Sequence, residues 1–456
     1  MRTALISHNP ANRRLILIFS GWSTIPAFYS DISAPGWDIK VVYDYSSPEF
    51  DVECISGYST VYVVAWSLGV AAAEIAARHF GSSDIAAAFA INGTLSPADD
   101  EMGIPKAIYE GTRRTLSIAN LRRFRRRMAP SPISEAEFIS DSDADAEDAI
   151  LRLQRELDSL HFSIPQPCLP WKRTYIGLND RIFPAGNQLK AWSSLEIHPQ
   201  IITLQEGHWM PLQKIISEIT PDHSRIARRF SRAVTTYDGN APAQQHIARR
   251  LAAKLPGTFR GADGIDLLEI GPGSGRLTRE LAEILHPASA TFIDLYPLHS
   301  FGIADRETYI TGDAEDWMET APSDSFDIVA SASTIQWFAD PLRFFRNVRR
   351  VLRPGGVFLC STFLPGNLAE LDVLRPSPLL YRSREEIESM LQPLFHSLQL
   401  EEEIIPMDFP SPREALLHLK LTGVGGGSKA TVRNLLTSLP DRPRLTYVCL
   451  YIRAYK

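Results

Sequence analysis

Val63-Val64-Ala65-Trp66-Ser67-Leu68-Gly69 runs from a β-branched, apolar stretch through a sharp turn into an alanine-rich segment. The pattern predicts a buried strand over 58–65 and a helix over 68–80, with Ser67 on the turn between them. A strand–turn–helix of this kind holds a serine hydroxyl at the end of a sheet and tolerates only small residues two positions to either side. Here these are Ala65 and Gly69, so the pattern is A-x-S-x-G rather than G-x-S-x-G. Further apolar runs at 15–19, 85–91, 174–178 and 201–204 read as strands alternating with helices, which implies an α/β fold with a parallel sheet. From Thr94 to about Leu160 the rhythm gives way to polar, charge-rich helices, read as a lid inserted into the sheet. Arg113, Arg114, Arg122, Arg123, Arg125, Arg126 and Arg127 make that lid basic, and Asp141, Asp143, Asp145, Glu147 and Asp148 follow as an acidic stretch.

Ser67 has two candidate partners in chain order. Asp180 follows the strand at 174–178 and His208 follows the strand at 201–204, 28 residues later, enough for one helix and one strand. Loop aspartates also cap helices and a lone histidine is often structural. Serine, acid and histidine in this order nevertheless point to nucleophilic catalysis on an ester or amide. The N–H of Leu68 is one candidate oxyanion donor and that of Trp22 the other; the alternative for Trp22 is a core tryptophan.

A second constellation is Leu267-Leu268-Glu269-Ile270-Gly271-Pro272-Gly273-Ser274-Gly275, a strand ending in an acid and then a G-x-G-x-G turn. Glycines allow the tight turn and a close approach of backbone to ligand. Arg276 stands where a third glycine of G-x-G-x-x-G would be, and Glu269 suits an ammonium and a sulfonium better than a pyrophosphate. Asp294 ends the next strand, 19 residues beyond Gly275, where a ribose-binding carboxylate belongs. Asp313 and Ala314 follow the third strand, either as an adenine contact or as an ordinary turn. Gln336 and Trp337 follow the fourth strand. Tyr237 and Trp337 either cover a sulfonium by cation–π contact or pack in the core.

At 456 residues, with 44% hydrophobic and 22% charged residues, the chain is long enough for two domains, placed at 1–216 (lid about 94–160) and 221–456. A net charge of −6 gives no global pull to nucleic acid, and the arginine tract lacks the aromatic platform of a single-strand binder. No apolar run reaches the ~18 residues of a membrane span. Four cysteines without a C-x-x-C pair suggest neither a disulfide framework nor a metal site, and fit a reducing, cytoplasmic setting.

With these residues in hand, two resemblances emerge. Phe19-Ser20-Gly21-Trp22, the Ala65–Gly69 turn and Asn92-Gly93-Thr94 resemble the pimeloyl-acyl-carrier-protein methyl ester esterases of biotin synthesis, in their short α/β-hydrolase variant, over roughly 1–215. That resemblance implies hydrolysis of a methyl ester carried on acyl carrier protein, and gives Arg122, Arg123, Arg125, Arg126 and Arg127 a role in docking the acidic carrier. The alternative is a solvated helix face. The glycine turn, Asp294 and Asp313 resemble the Rossmann-like class I S-adenosylmethionine (SAM)-dependent methyltransferases, and Gln336-Trp337 after the fourth strand resembles malonyl-acyl-carrier-protein O-methyltransferases more closely. Phe230-x-x-Ala233-x-x-x-Tyr237, Thr362–Leu371 and Leu419-Lys420-x-Thr422-Gly423 resemble malonyl-acyl-carrier-protein O-methyltransferases in particular. The implied activity is methylation of the malonyl carboxylate with SAM as cofactor. Two other readings stay open: a hydrolase-like half that only docks the carrier, and a methyltransferase–esterase pair acting on other substrates.

Overall fold

The computed structural model describes all residues except 82–83, 129–145, 229, 232–240, 375–378 and 422–438. The chain divides into two compact α/β units, Met1–Thr220 and Pro221–Lys456.

The first unit is built on a seven-stranded sheet. Its strands are β1 (Arg2–Ser7), β2 (Arg14–Phe19), β3 (Trp37–Tyr43), β4 (Thr60–Trp66), β5 (Ala87–Ile91), β6 (Trp171–Gly177) and β7 (Gln200–Leu204), in the order β1-β3-β2-β4-β5-β6-β7. Only β1 is antiparallel to its neighbour. Every residue of β2, β4 and β5 is buried, which explains their near-continuous apolar sequences: a central parallel strand is covered on both faces. Helix α1 (Gly69–Ala77) is buried along its whole length, so its sequence is small and apolar rather than amphipathic. Between β5 and β6 lie the amphipathic helices α2 (Lys106–Arg114), α3 (Ile118–Met128) and α4 (Ala146–Ser159). Helices α5 (Ala185–Ser193) and α6 (Leu212–Ile219) complete the unit.

The second unit has its own seven-stranded sheet: β8 (Asp266–Ile270), β9 (Ser289–Asp294), β10 (Arg306–Thr311), β11 (Phe326–Ala332), β12 (Leu352–Phe363), β13 (Ser397–Asp408) and β14 (Arg444–Tyr455). The order is β10-β9-β8-β11-β12-β14-β13, with β14 antiparallel to both neighbours and the others parallel. Its helices include α7 (Pro242–Ala253), α8 (Arg276–Ala282), α9 (Ala314–Thr320), α10 (Pro341–Val351), α11 (Arg384–Leu391) and α12 (Pro412–Leu421). Strand order reverses between β8 and β11, and the crevice beyond the carboxyl ends of the strands at such a point is the general ligand position of open α/β sheets. Among the described residues no helix is long and apolar enough to cross a membrane.

Two candidate active sites

In the first unit, Ser67 follows β4 with φ of +59°, a left-handed conformation that costs a non-glycine residue on the order of 1–3 kcal/mol. The surroundings impose it. A Cβ on Gly69 would lie 2.4 Å from the Phe19 carbonyl oxygen, and one on Gly93 would lie 2.2 Å from that of Ser67. His208 Nε2 is 2.9 Å from Ser67 Oγ, and His208 Nδ1 lies 3.0 and 2.9 Å from the two oxygens of Asp180. The His208 and Asp180 side chains are fully buried, so their hydrogen bonds meet no competition from bulk water.

The supporting shell was not legible in the sequence. Asp180 Oδ1 accepts the N–H groups of Ile182 and Phe183, at 2.7 and 3.0 Å, and Oδ2 accepts the amide of Gln188 at 3.2 Å. The His208 carbonyl accepts the Trp66 indole N–H at 3.0 Å and the Asn92 amide at 2.8 Å. Asn92 also accepts the Gly177 N–H at 2.7 Å, which straps the histidine loop to β6. The Phe183 ring stacks on the imidazole at 6.2 Å.

Ser67 opens into a cleft of about 430 Å³ lined by Trp22, Leu68, Ile104, Tyr109, Phe124 and Ile182, among others. The Trp22 and Leu68 N–H groups have no hydrogen-bond partner among the described residues. The Trp22 indole N–H donates to the Leu153 carbonyl of α4 at 3.0 Å, and its ring meets Phe124 edge-on, so this tryptophan also ties the lid to the sheet. Arg127, an expected docking residue, and Arg181, which the sequence reading passed over, both line the cleft.

Arg122, Arg123, Arg126 and Arg127 are exposed on α3. Arg125 departs from the expectation of a docking surface: it is 6% exposed and donates to the Ser23 carbonyl at 3.1 Å. Its place in the amphipathic repeat, next to Phe124 and three residues before Met128, turns it inward. The acidic side chains expected at 141, 143, 145 and 147 lie outside the described residues.

In the second unit a pocket of about 1040 Å³ opens at the carboxyl ends of β8, β9, β10 and β11. Glu269, Gly271, Gly273, Asp294, Asp313, Ala314 and Trp337 all line it. Gly271, Gly273 and Gly275 have φ of +65°, +59° and +79°, and a Cβ on Gly271 would collide with Thr334 at 2.4 Å. Glu269, 1% exposed, accepts the Thr278 hydroxyl at 2.7 Å, yet burial pushes its carboxyl up to about 8. Asp294 accepts the Gly273 N–H at 3.1 Å, and burial raises it to about 6. Two carboxyls held against their preferred ionisation in one pocket are groups awaiting a cation or hydroxyl donors. An ammonium and a ribose diol supply these, so the residues present fit SAM.

Other sequence-derived residues sit differently. Gly275 caps α8 rather than lining the pocket, and its missing Cβ makes room for Phe301. Gln336 also lies off the lining: its amide donates to the Ser333 carbonyl, bracing the turn beneath the pocket. Tyr237, Ala233 and the Thr422-Gly423 step lie outside the described residues. Asp313 caps α9 through the Glu315 N–H at 2.9 Å and pairs with His223 at 2.9 Å. His223, Ile226 and Phe230, none of them singled out as lining residues from sequence, form part of the wall, and Phe230 meets Trp337 edge-on at 6.0 Å. Their i, i+3, i+7 spacing is the one signal that could have found them.

Comparison with known proteins aligns with this picture. Residues 1–211 match the family model "Pimeloyl-ACP methyl esterase BioG", and residues 268–360 match "Methyltransferase domain". A malonyl-[acyl-carrier protein] O-methyltransferase of Bacteroides fragilis is 34% identical over 428 residues, covering 91% of this chain and 85% of that protein. Its namesake in Porphyromonas gingivalis is 38% identical over 219 residues, 48% of this chain and 82% of its own. The crystal structure of BioG from Haemophilus influenzae, 26% identical, covers 46% of this chain and 94% of its own at a TM-score of 0.39. With a B. fragilis relative matched along nearly its whole length, this chain belongs to the malonyl-[acyl-carrier protein] O-methyltransferase family, in a form that carries a BioG-type esterase domain at its N-terminus and uses SAM as cofactor.

Proposed function

We propose that the chain is a bifunctional enzyme of biotin synthesis. The second unit methylates the free carboxylate of malonyl-acyl carrier protein, and the first unit hydrolyses the methyl ester once the chain has grown to pimeloyl. The observation that carries this reading is the presence, in one polypeptide, of a hydrogen-bonded Ser67–His208–Asp180 array and a pocket with two proton-hungry carboxylates.

In the first unit, His208 Nε2 takes the proton of Ser67 as Oγ attacks the ester carbonyl. Asp180 holds the imidazole in the tautomer that leaves Nε2 free to accept, and stabilises the imidazolium that forms. The Trp22 and Leu68 N–H groups receive the developing oxyanion. Collapse of the tetrahedral adduct passes the proton from His208 to the departing methoxide, giving methanol and an acyl-serine. Water activated by the same histidine then releases the acid. The apolar cleft fits an alkyl chain, and the exposed arginines of α3 suit an acidic carrier.

In the second unit, bound SAM supplies an electrophilic methyl group. Glu269 and Asp294 take its ammonium and ribose hydroxyls, while Trp337 and Phe230 cover one side of the pocket and exclude water. A carboxylate acceptor is already ionised at neutral pH, so alignment and desolvation carry the transfer and no general base is required. Methylation masks a charge that would be costly in an apolar elongation site. The test is mass measurement of malonyl-acyl carrier protein incubated with SAM and the Ser67→Ala chain. A gain of one methyl group supports the reading; an unchanged mass refutes it.

A further inference from the structure

Arg125, turned inward from the basic run of α3, reaches 102 residues back along the chain to the turn after β2, where it donates to the Ser23 carbonyl at 3.1 Å. That turn is closed by the Thr24 N–H and hydroxyl on the Gly21 carbonyl, at 3.2 and 2.7 Å, with Trp22 and Ser23 at its centre. Ser23 is buried and has φ of +68°, a conformation that the third residue of such a turn ordinarily leaves to glycine. A serine held there needs support from outside the turn. The near end is anchored in the core, where the Gly21 N–H donates to the Tyr29 hydroxyl at 3.2 Å. The far end is held from the lid. Besides the Arg125 bond, the Trp22 indole N–H donates to the Leu153 carbonyl of α4 and the Trp22 ring meets Phe124 of α3 at 4.8 Å. Trp22 lines the cleft of Ser67, and its backbone N–H is one of the two oxyanion donors proposed above.

We propose that Arg125 is a positioning residue for ester hydrolysis: from the lid it fixes the Gly21–Thr24 turn, and with it the Trp22 N–H at the oxyanion position, so that the hole is complete only while α3 is seated. This rests on the reading of the first unit as an esterase. Arg125 is not among the residues that line the cleft, so it acts through the turn rather than on the substrate. A guanidinium suits the task. Its donors form a rigid planar fork, its charge strengthens the bond to a neutral carbonyl, and burial removes the competition of water. An oxyanion hole works because its donors are aimed before charge develops. A turn free to relax from the positive φ at Ser23 would therefore spoil the transition state and leave the binding of the ground-state ester unchanged.

The test is steady-state hydrolysis of a short acyl methyl ester by the full chain as wild type, Arg125→Met, Arg125→Lys, Ser23→Gly and the Ser23→Gly/Arg125→Met double variant. Inhibition by a trifluoromethyl ketone analogue is measured alongside. Addition of Ser67 Oγ to that ketone passes a proton to His208 and leaves an oxyanion in the hole. Arg125→Met should lower kcat by about 10²-fold with KM within about twofold, the worth of a misplaced oxyanion donor. The inhibition constant of the ketone should rise by a matching factor. Arg125→Lys, which can still donate to the Ser23 carbonyl, should retain part of the activity. Glycine adopts a positive φ without strain, so with Ser23→Gly in place the loss on Arg125→Met should shrink to about tenfold or less. Should Arg125→Met fail to fold, Arg125→Lys carries the same comparison, its smaller loss again shrinking when Ser23 is replaced by glycine. An Arg125→Met variant with wild-type kcat, a change confined to KM, or equal losses with serine and glycine at position 23 would overturn the proposal. A wild type that neither hydrolyses the ester nor is labelled at Ser67 by a fluorophosphonate would overturn the esterase reading beneath it.

Discussion

Glu269 provides the sharpest prediction. Its carboxyl is raised by burial from 4.5 to about 8, whereas the proposed role at the ammonium of SAM calls for the ionised form. At pH 7 roughly one molecule in ten is ionised in the free protein, which weakens SAM binding about tenfold, or ~1.4 kcal/mol, relative to full ionisation. A raised carboxyl keeps its proton at low pH, so affinity rises with pH and levels off above about 8. Asp294, raised to about 6, steepens the loss further on the acid side. Titration calorimetry of SAM between pH 6 and 9, in buffers of different ionisation enthalpy, should show the dissociation constant falling about tenfold per pH unit below 8 with about one proton released. The isosteric Glu269→Gln variant should lose both the affinity and the proton release. The ligand-free variant should melt higher than wild type, by a margin that grows from about pH 4.5 to about 8 and stays constant above, because the folded wild type must hold a proton that the unfolded chain has lost or else bury a charge. A pH-independent dissociation constant, or a Glu269→Gln variant that binds SAM normally, would refute this account of the pocket.

The other predictions concern the first unit. Asp180→Asn should lower ester hydrolysis by on the order of 10⁴ in kcat with the fold retained, measured on a short acyl methyl ester. Asn92→Ala removes the amide that holds the His208 carbonyl and should reduce kcat by up to about 10²-fold with little change in KM, the signature of a displaced catalytic group. Gly93→Ala places a Cβ 2.2 Å from the Ser67 carbonyl oxygen and should destabilise the unit by about 1–3 kcal/mol in urea unfolding, with loss of esterase activity. The apolar cleft should hydrolyse the pimeloyl methyl ester faster than the malonyl one; equal rates would contradict the proposed division of labour.

The two sheets were legible wherever a central parallel strand made an uninterrupted apolar run, as in β2, β4 and β5, and the turns at Ser67 and Gly271 were legible because few residues tolerate such geometry. β1 escaped the sequence reading because this edge strand is half exposed and lacks a clean apolar signature. β3 escaped because lysine and aspartate interrupt its apolar residues, although Asp38 is buried and satisfied by His8, Asn9, Asn12 and Tyr58. Asp180 and His208 could be placed from chain order, whereas Gln188, Asn92 and Trp66 act on them through contacts that only tertiary structure brings about. Gln336 rests on a motif shared with Trp337, and a motif does not fix which way each side chain points: Trp337 lines the pocket, while the Gln336 amide donates to the Ser333 carbonyl. Arg125 illustrates the same limit: a run of like charges on a helix still has an inward face.

The most direct test of two complementary enzymes on one chain is the intact mass of the acyl carrier protein after incubation with the purified full-length chain. With SAM, malonyl-acyl carrier protein should gain one methyl group. Without SAM, the pimeloyl methyl ester form should lose one, and Ser67→Ala should abolish only the loss. A pimeloyl ester left intact by the wild type, or a malonyl carrier that gains no methyl group, would contradict the account.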